Sequence, residues 1–476
     1  MKSVMQMSMR NIVVIGGGIT GLSAAYYLQK EIGSQDLPYQ VKLIEASERL
    51  GGKIKTLKRD GYTIEQGPDS LLSRKSAVVE LAKELKLEEE MIFNETGQSY
   101  ILVDGNLHKM PAGTFMGVPK EDKAILETEI FTEEGKKRAL AEPTIEKGEA
   151  AEEQSLGAFM RRRFGDEAVN RLISPMLSGI HSGDIDKMSL MATYPNFYQL
   201  EQKYGSVMKG LQASFPQPSL SNKAKKPGGM FFSFKEGIES IIYRLEEELT
   251  EGVVSLGIKV EQIEKKAQGY EIMLSNGERF EAAAVIIAAQ HTAVPAMLSD
   301  YSFVSELARI PATSTANVVM AFDAAAIENE LDGTGFQVAR EGEIEMTACT
   351  WTNKKWPTTT PEGKVQLRVY VGQPSKQEFM NLTDEQLIAS VLEDLKQVMT
   401  IKSEPEFAVV TRWKNARPQY NVGHNEIVFQ VRNHLTSELP GVQIVGSSYD
   451  GAGIPDCIAN GKKAAVEALR FMEYSS

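Results

Sequence analysis

The run from Asn11 to Leu22, NIVVIGGGITGL, leaves the chain few conformations to choose from. Ile12, Val13, Val14 and Ile15 are apolar and β-branched, which suits a short strand buried on both faces. Three glycines end it. Leu22, Ala25 and Leu28 then recur at three-residue steps, the opening of a helix. Strand, glycine turn and helix in this order place Gly16, Gly18 and Gly21 in the G-x-G-x-x-G register of a dinucleotide site. Gly16 permits the tight turn, Gly18 lets a pyrophosphate approach the backbone, and Gly21 lets helix and strand pack closely. Ile19 and Thr20 lie between them, at the helix start, where unpaired N–H groups and the helix dipole favour an anion. A second strand, 41–44, ends in Glu45, at the distance where an acid receives ribose hydroxyls.

Glu45 is followed by Arg49, Gly51, Gly52 and Lys53, the pattern E-x-x-x-R-x-G-G-K. The glycine pair allows the backbone to pass close to a phosphate, and Arg49 or Lys53 can supply positive charge. The rest of the composition narrows the partners. A chain of 476 residues buries a large core in two or three domains, and a net charge of −12 argues against a nucleic-acid binder. Two cysteines, Cys349 and Cys457, exclude a disulfide framework, and the five histidines lack metal-binding spacing, so no metal is expected. No stretch reads as a membrane-spanning helix, and the polar, methionine-rich run before Asn11 has no signal-peptide core.

Further along, 61–70 reads as a strand and tight turn, and 76–87 as an amphipathic helix. The stretches 100–103 and 107–110 make a hairpin about Asp104-Gly105-Asn106. The Glu-, Lys- and Ala-rich stretch 132–154 is expected to be a mobile, solvated connection. Ser155 opens a helical region in which Leu156, Phe159, Met160, Val169, Leu172, Ile173 and Leu177 fall at three- and four-residue steps. The run Arg161-Arg162-Arg163 is expected on its exposed side. The segment 214–229 reads as a loop and 232–249 as a helix. Strands begin near 258 and turn at Asn276-Gly277, and 283–289 is a buried strand. Strands at 316–322, 346–351 and 365–371, a helix at 384–399, a strand at 442–446 and a terminal helix at 457–472 complete the pattern.

With 16–21, 45–53 and 446–456 in place, the chain resembles the FAD-dependent amine-oxidase superfamily. Gly67-Pro68-Asp69-Ser70, SGIHSGD at 178–184, TWTNKKWP at 350–357, Pro418-Gln419-Tyr420 and GIPDC at 453–457 follow in order over nearly the whole chain. Together they resemble the protoporphyrinogen oxidase family, and within it the soluble Gram-positive type that acts on coproporphyrinogen III. One departure is Gln290, where this family is expected to carry proline.

The resemblance implies an α/β fold: a Rossmann-like FAD-binding domain with a discontinuous mixed α+β substrate domain and a helical lobe. The FAD domain would comprise 8–75, 226–296 and 438–476. The substrate-binding segment and helical, membrane-facing lobe would be 76–225, and the substrate-binding domain 297–437. FAD would be held noncovalently by Gly16, Gly18, Ile19, Thr20, Gly21, Glu45, Arg49, Gly51, Gly52 and Lys53, with Gly67, Pro68, Asp69 and Ser70 against the flavin. Val260, Trp413, Gly446, Gly453, Ile454 and Pro455 would complete the site. Cys457 lies beyond the place where some superfamily members attach flavin and reads as a small buried residue.

By the same resemblance Lys75 would meet a propionate of the porphyrinogen, and Ile180 and Phe336 its ring faces. Arg368 and Tyr370 alternate on a strand expected to line the pocket. No catalytic base is implied. The implied reaction is oxygen-using oxidation of a porphyrinogen to a porphyrin in heme biosynthesis, with hydrogen peroxide formed. It would act on CH–CH and CH–NH groups in the cytoplasm, with surface contact to a membrane and transfer of product to the next heme-pathway enzyme. A protoporphyrinogen IX oxidase, another flavin amine oxidase or desaturase, and a non-enzymatic binder of the dissociation-inhibitor kind are the alternatives.

Overall fold

The computed structural model describes residues 10–94, 97–148, 153–215, 229–328, 332–339 and 344–474. Its first sheet has five parallel strands in the order Val254–Ser255, Tyr39–Ile44, Arg10–Ile15, Ala284–Ile287, Val442–Ile444. These come from remote parts of the chain, and each apolar run is short because helices or a second sheet cover both faces. Ile12 and Val14 pack with Leu22, Ile241 and Ala464 of helices Ile19–Ser34, Ser240–Glu248 and Ile454–Tyr474. Val13 and Ile15 pack the other way, against Val260, Ile263 and Ile272 of an antiparallel three-stranded sheet and Ile427 of helix His424–Glu438. Each such aliphatic side chain contributes roughly 1.5–3 kcal/mol when fully buried. The glycine turn therefore leaves the carboxyl end of a strand that packing holds rigid.

A seven-stranded sheet forms the second body, in the order Phe407–Pro418, Ala312–Asp323, Lys364–Val371, Met346–Trp351, Gly335–Val338, Tyr100–Val103, Asn106–Lys109. Its register sorts the side chains. Phe336, Cys349, Val369 and Val318 are cross-strand partners and share one face, which packs on helix Asp384–Lys396. Gln337, Ala348, Tyr370 and Asn317 share the other, with Arg368 two residues from Tyr370 on that same face. This second face meets the 62–70 segment of the first body, where Asn317 Nδ2 donates to the Gln66 carbonyl at 2.7 Å.

The helical lobe begins at Leu156–Phe164, whose N-terminus Ser155 caps by accepting from the Ala158 N–H at 3.0 Å. Two expectations about it fail. Residues 132–148 are not a solvated connection: Glu133–Leu140 is a helix capped by Thr132, and Glu142 is fully buried. Nor is the arginine run all outside, for Arg163 is as buried as Glu142, and the two form an ion pair. Arg163 also reaches Glu201 at 3.1 Å and the Ile145 carbonyl at 2.9 Å, while the Val207 N–H donates to Glu142 at 2.8 Å. Burying charges is tolerable only where they are paired and their remaining hydrogen-bonding capacity is met, and this network meets it. Residues 149–152 of that stretch lie outside the described residues.

The stretch 232–249 is not one helix either. Phe231–Phe234 is a strand pairing with Leu71–Leu72 and Met91–Phe93. Gly237, at φ +96°, turns the chain before helix Ser240–Glu248. The loop expected at 214–229 and the boundary at 225 fall largely outside the described residues. Among the described residues no helix is long and apolar enough to cross a membrane.

Candidate active site

Three glycine turns meet at the N-terminus of helix Ile19–Ser34. Gly16, at φ +106°, makes the turn, and a Cβ on Gly21 would lie 1.9 Å from the Gly16 carbonyl oxygen. The fold itself requires both glycines. Gly18 differs: its φ is −70°, and an added Cβ would meet nothing within 4 Å. It bridges Gly51, whose N–H donates to the Gly17 carbonyl at 2.8 Å, so the first and second turns lie side by side. Gly52 brings its backbone to Gly18, and Gly446, at φ +110°, faces the Thr20 side chain. The helix N-terminus carries no side-chain cap, so its N–H groups remain available to an anion. Open space before an uncapped helix end fits a dinucleotide pyrophosphate.

Glu45 ends its strand with both oxygens engaged: Oε2 accepts from the Gly17 N–H at 2.6 Å, and Oε1 from the Ser47 N–H at 2.8 Å. A carboxylate has lone pairs left for a ribose hydroxyl. Arg49 donates to the Gly52 carbonyl at 2.8 Å and pairs with Glu239 at 2.8 Å, so it shapes the second turn. Lys53 is the half-buried cation of that turn. Its Nζ donates to the Ala416 carbonyl at 2.6 Å and to Ser447 Oγ at 3.4 Å. Burial, then the nearby Arg417, push its pKa down to about 8. Val260 is buried in the antiparallel sheet, two residues after Ile258 donates to the Glu45 carbonyl at 3.1 Å. Gly453 precedes Ile454 and Pro455, the first residues of the terminal helix.

The turn Gly67-Pro68-Asp69-Ser70 is packed so closely that a Cβ on Gly67 would lie 1.8 Å from the Lys53 carbonyl oxygen. Trp413 Nε1 donates to the Gln66 carbonyl at 2.8 Å and fixes its approach. Asp69 sits at the centre of a charged cluster. Ser70 Oγ donates to it at 2.6 Å, Lys355 Nζ at 3.3 Å and the Tyr370 hydroxyl at 3.4 Å, while Arg368 Nη1 lies 3.7 Å away. Burial would raise this carboxyl, but Lys355 and Arg368 outweigh it and hold Asp69 below the usual carboxylate range. Arg368 also donates to the Gly67 carbonyl, yet its Nε and Nη1 find no hydrogen-bond partner. Burial pushes the Tyr370 phenol up.

Helix Ser174–His181 lies over the same face of the sheet, since a Cβ on Gly179 would be 2.9 Å from Gln337 Oε1. Ile180 is 49% exposed at its open end. His181 is turned inward, its ring 5.6 Å from Tyr194, and burial followed by Arg417 drop its pKa to about 4. It is therefore neutral at physiological pH.

The fold thus brings Arg368, Tyr370 and Asp69 together beneath the helix that carries Ile180. Phe336 does not join them: it points to the opposite face, against Trp351 at 6.3 Å, and is core. Lys75, half exposed, pairs with Asp456 at 2.8 Å, beside the start of the terminal helix. Sequence reading passed over Lys355, His181 and Arg417 as site residues, although the first two sit inside quoted motifs and Arg417 immediately precedes Pro418-Gln419-Tyr420.

Residues 19–469 match the flavin containing amine oxidoreductase family. The coproporphyrinogen III oxidase of Bacillus subtilis (strain 168) is 45% identical over 463 residues, covering 97% of this chain and 98% of that one. That of Staphylococcus aureus is 39% identical over 470 residues, covering 97% and 99%. A solved structure assigned to a protoporphyrinogen oxidase from Exiguobacterium sp. 255-15 superimposes with a TM-score of 0.85 at 35% identity, covering 98% of this chain and all of that one. A reduced UDP-galactopyranose mutase, at TM-score 0.73 and 16% identity, shares the fold alone.

Proposed function

Because the chain belongs to the flavin-containing amine oxidoreductase family and runs the length of relatives named coproporphyrinogen III oxidase, we propose that it carries out FAD-dependent oxidation of a porphyrinogen to a porphyrin, coproporphyrinogen III to coproporphyrin III. FAD, when bound, supplies the hydride acceptor for the carbon bridges of the macrocycle. The chain supplies place and charge. The uncapped N-terminus of helix Ile19–Ser34 and Lys53 receive the pyrophosphate, and Glu45 the ribose. Asp69, tied to Lys355, Arg368 and Tyr370, holds the 67–70 turn rigid beside the flavin. We place the flat macrocycle against the sheet face beside that turn, with half-exposed Ile180 at its edge, and Phe336 stays behind the wall. Lys75 waits at the entrance, where a propionate can take the place of Asp456.

Aromatisation of the product drives the reaction, so no residue is assigned as a general base. Dioxygen is the acceptor that reoxidises the cofactor, with hydrogen peroxide formed. The work is cytoplasmic, and the helical lobe is the face that would meet a membrane surface or hand product onward. We divide the chain into the FAD-binding and substrate-binding segments given by the sequence, with bounds at 75, 225, 296 and 437. FAD is held noncovalently: Cys349 is buried in the sheet core, and Cys457 lies within the terminal helix.

One observation carries this reading: Gly18 needs no glycine for the fold, yet sits in open space at an uncapped helix end near half-buried Lys53. Anaerobic addition of coproporphyrinogen III to the purified protein should bleach the flavin absorbance as porphyrin fluorescence appears. Acid precipitation should release the flavin into the supernatant. A yellow protein that neither coproporphyrinogen III nor protoporphyrinogen IX bleaches would overturn the assignment.

A further inference from the structure

One half-buried charge has no role in this reading. Arg417 stands near the end of strand Phe407–Pro418, paired in register with Thr313. Its neighbours in the chain are tied down on two sides. The Ala416 carbonyl takes the Lys53 ammonium at 2.6 Å, and Gln419 Nε2 donates to the His181 carbonyl at 3.2 Å and to Thr313 Oγ1 at 3.0 Å. Asn415, at φ +46°, sits where the register with the 312–323 strand slips. The backbone is thus locked between the cofactor loop and the helix over the substrate face.

The guanidinium itself is not locked by a counter-charge. The charged and titratable groups that act on it or feel it are Lys53, His181, Arg368 and Tyr370, and none is a carboxylate. Among the described residues it makes no hydrogen bond or ion pair. Burial works against its charge, yet an arginine does not lose its proton in a protein. Four elements converge here: the 49–53 turn, helix Ser174–His181, and strands Lys364–Val371 and Phe407–Pro418. A fixed, half-buried positive charge lies at their junction.

We propose that Arg417 serves the oxidation by holding a positive charge beside the bound cofactor, so that the cofactor is more readily reduced. This rests on the reading of the site as an FAD-dependent porphyrinogen oxidase. Each oxidation moves one hydride, two electrons with one proton, from a bridge carbon to the cofactor, and a second proton leaves the macrocycle. The cofactor ends with one more negative charge. A cation already in place in a water-poor site stabilises that charge without reorganising. A substrate carboxylate is the less fitting partner. Propionates sit on the rim of the macrocycle, and the rim cation, Lys75, lies at the exposed entrance. Arg417 is half-buried and follows Ala416, whose carbonyl takes Lys53, a lysine tied to Ser447 next to the third glycine turn.

The test uses the FAD-loaded protein and the variants Arg417→Met, Arg417→Gln and Arg417→Lys. The two-electron reduction potential is read by dye equilibration, without porphyrinogen. Coproporphyrin III affinity is read by fluorescence, and FAD content by absorbance. The Met and Gln variants should keep their FAD but show a reduced-to-oxidised ratio lowered roughly tenfold at a fixed potential, about 30 mV for a two-electron couple. The Lys variant should recover most of that, and coproporphyrin III affinity should stay within about twofold of the parent.

An unchanged potential in FAD-loaded Met or Gln variants would overturn the proposal. An unchanged potential with coproporphyrin III affinity lost would assign Arg417 to a propionate instead. Failure of both variants to load FAD would assign it to the phosphates and equally overturn it. Because the potential is measured without porphyrinogen, failure of the unmodified protein to be bleached by porphyrinogens would count against the proposed function alone.

Discussion

Consider Gly18→Ala and Gly18→Val beside Gly21→Ala. At φ −70° and ψ 173° Gly18 has an extended backbone that any residue adopts, and its new Cβ would touch no protein atom within 4 Å. Replacing glycine at such a position gains about 0.4–1 kcal/mol through the unfolded chain, and losing glycine at an N-cap costs a few tenths up to about 1 kcal/mol. The terms nearly cancel, so the flavin-free protein should melt within a few degrees of the parent. Cofactor affinity should not survive. The added carbons occupy the space through which the pyrophosphate reaches the helix N–H groups. Each charge-assisted hydrogen bond lost costs about 1.5–3 kcal/mol. Losing a pair of them would weaken FAD by roughly two to four orders of magnitude. Gly21→Ala should do the reverse, since its Cβ would lie 1.9 Å from a backbone oxygen that cannot move aside. Overpacking of that kind costs about 1–3 kcal/mol or more. Thermal melts of the flavin-stripped proteins and FAD titration followed by fluorescence quenching separate the effects. A Gly18→Val protein that binds FAD with parental affinity, or that loses as much stability as Gly21→Ala, would refute the reasoning.

Three other outcomes are expected. Lys75→Met should cut the preference for coproporphyrinogen III over protoporphyrinogen IX roughly tenfold at low salt, and less as screening grows. Lys75→Arg should retain it, as kcat/KM for both substrates at two ionic strengths will show. Burial raises Glu65 from 4.5 to about 7, against the Ile238 N–H and Thr56 hydroxyl that favour its charged form. The folded protein therefore holds this proton more tightly than the unfolded chain, and its stability falls as pH rises from about 4.5 to 7 and then levels. Glu65→Gln lacks that loss and should gain about 1–3 kcal/mol on the parent between pH 5 and pH 8 in urea unfolding. Arg163→Met leaves Glu142 buried without its cation and Glu201 with Arg162 alone, at 2.9 Å. It should cost about 3–5 kcal/mol in the same measurement, much of it recovered by adding Glu142→Gln and Glu201→Gln.

How far the sequence could be read follows from the range of the forces involved. The glycine turn was legible because steric limits on a strand-to-helix turn act within a few residues. Four strands of the parallel sheet were legible because each holds a short apolar run, wherever in the chain it falls; the edge strand Val254–Ser255 has no such run and was missed. Charge was misread where tertiary partners decide its place. Glu142 and Arg163 look like solvent-facing residues until helix Pro195–Tyr204 supplies Glu201 and the start of the next helix supplies N–H donors. Phe231–Phe234 passed for helix because the strands that pair with it lie more than a hundred residues earlier. The substrate face shows the limit most clearly. Alternation within one strand placed Arg368 and Tyr370 on a common face. Whether Phe336 joins them depends on the register across Met346–Trp351, which no local pattern encodes. Phe336 is opposite Cys349, and Cys349 opposite Val369, so Phe336 belongs with the core.

The same register explains why the interior charge differs from that of the whole chain. The protein carries −12 overall, which opposes the approach of an anionic cofactor and a polycarboxylate substrate. Inside the site, Lys53, Lys355, Arg368 and Arg417 gather, and Asp69 is matched to two of them, Lys355 and Arg368. Arg49 and Lys75 are matched to Glu239 and Asp456 and add little. Burial and then Arg417 depress Lys53, so these two cations repel one another in the flavin-free protein. A ligand that brings negative charge relieves this repulsion, and whatever binds only the folded state stabilises it in proportion to its occupancy. FAD should therefore raise the melting temperature by more than its buried area alone would, and should do so less in high salt wherever the relieved charges remain open to solvent.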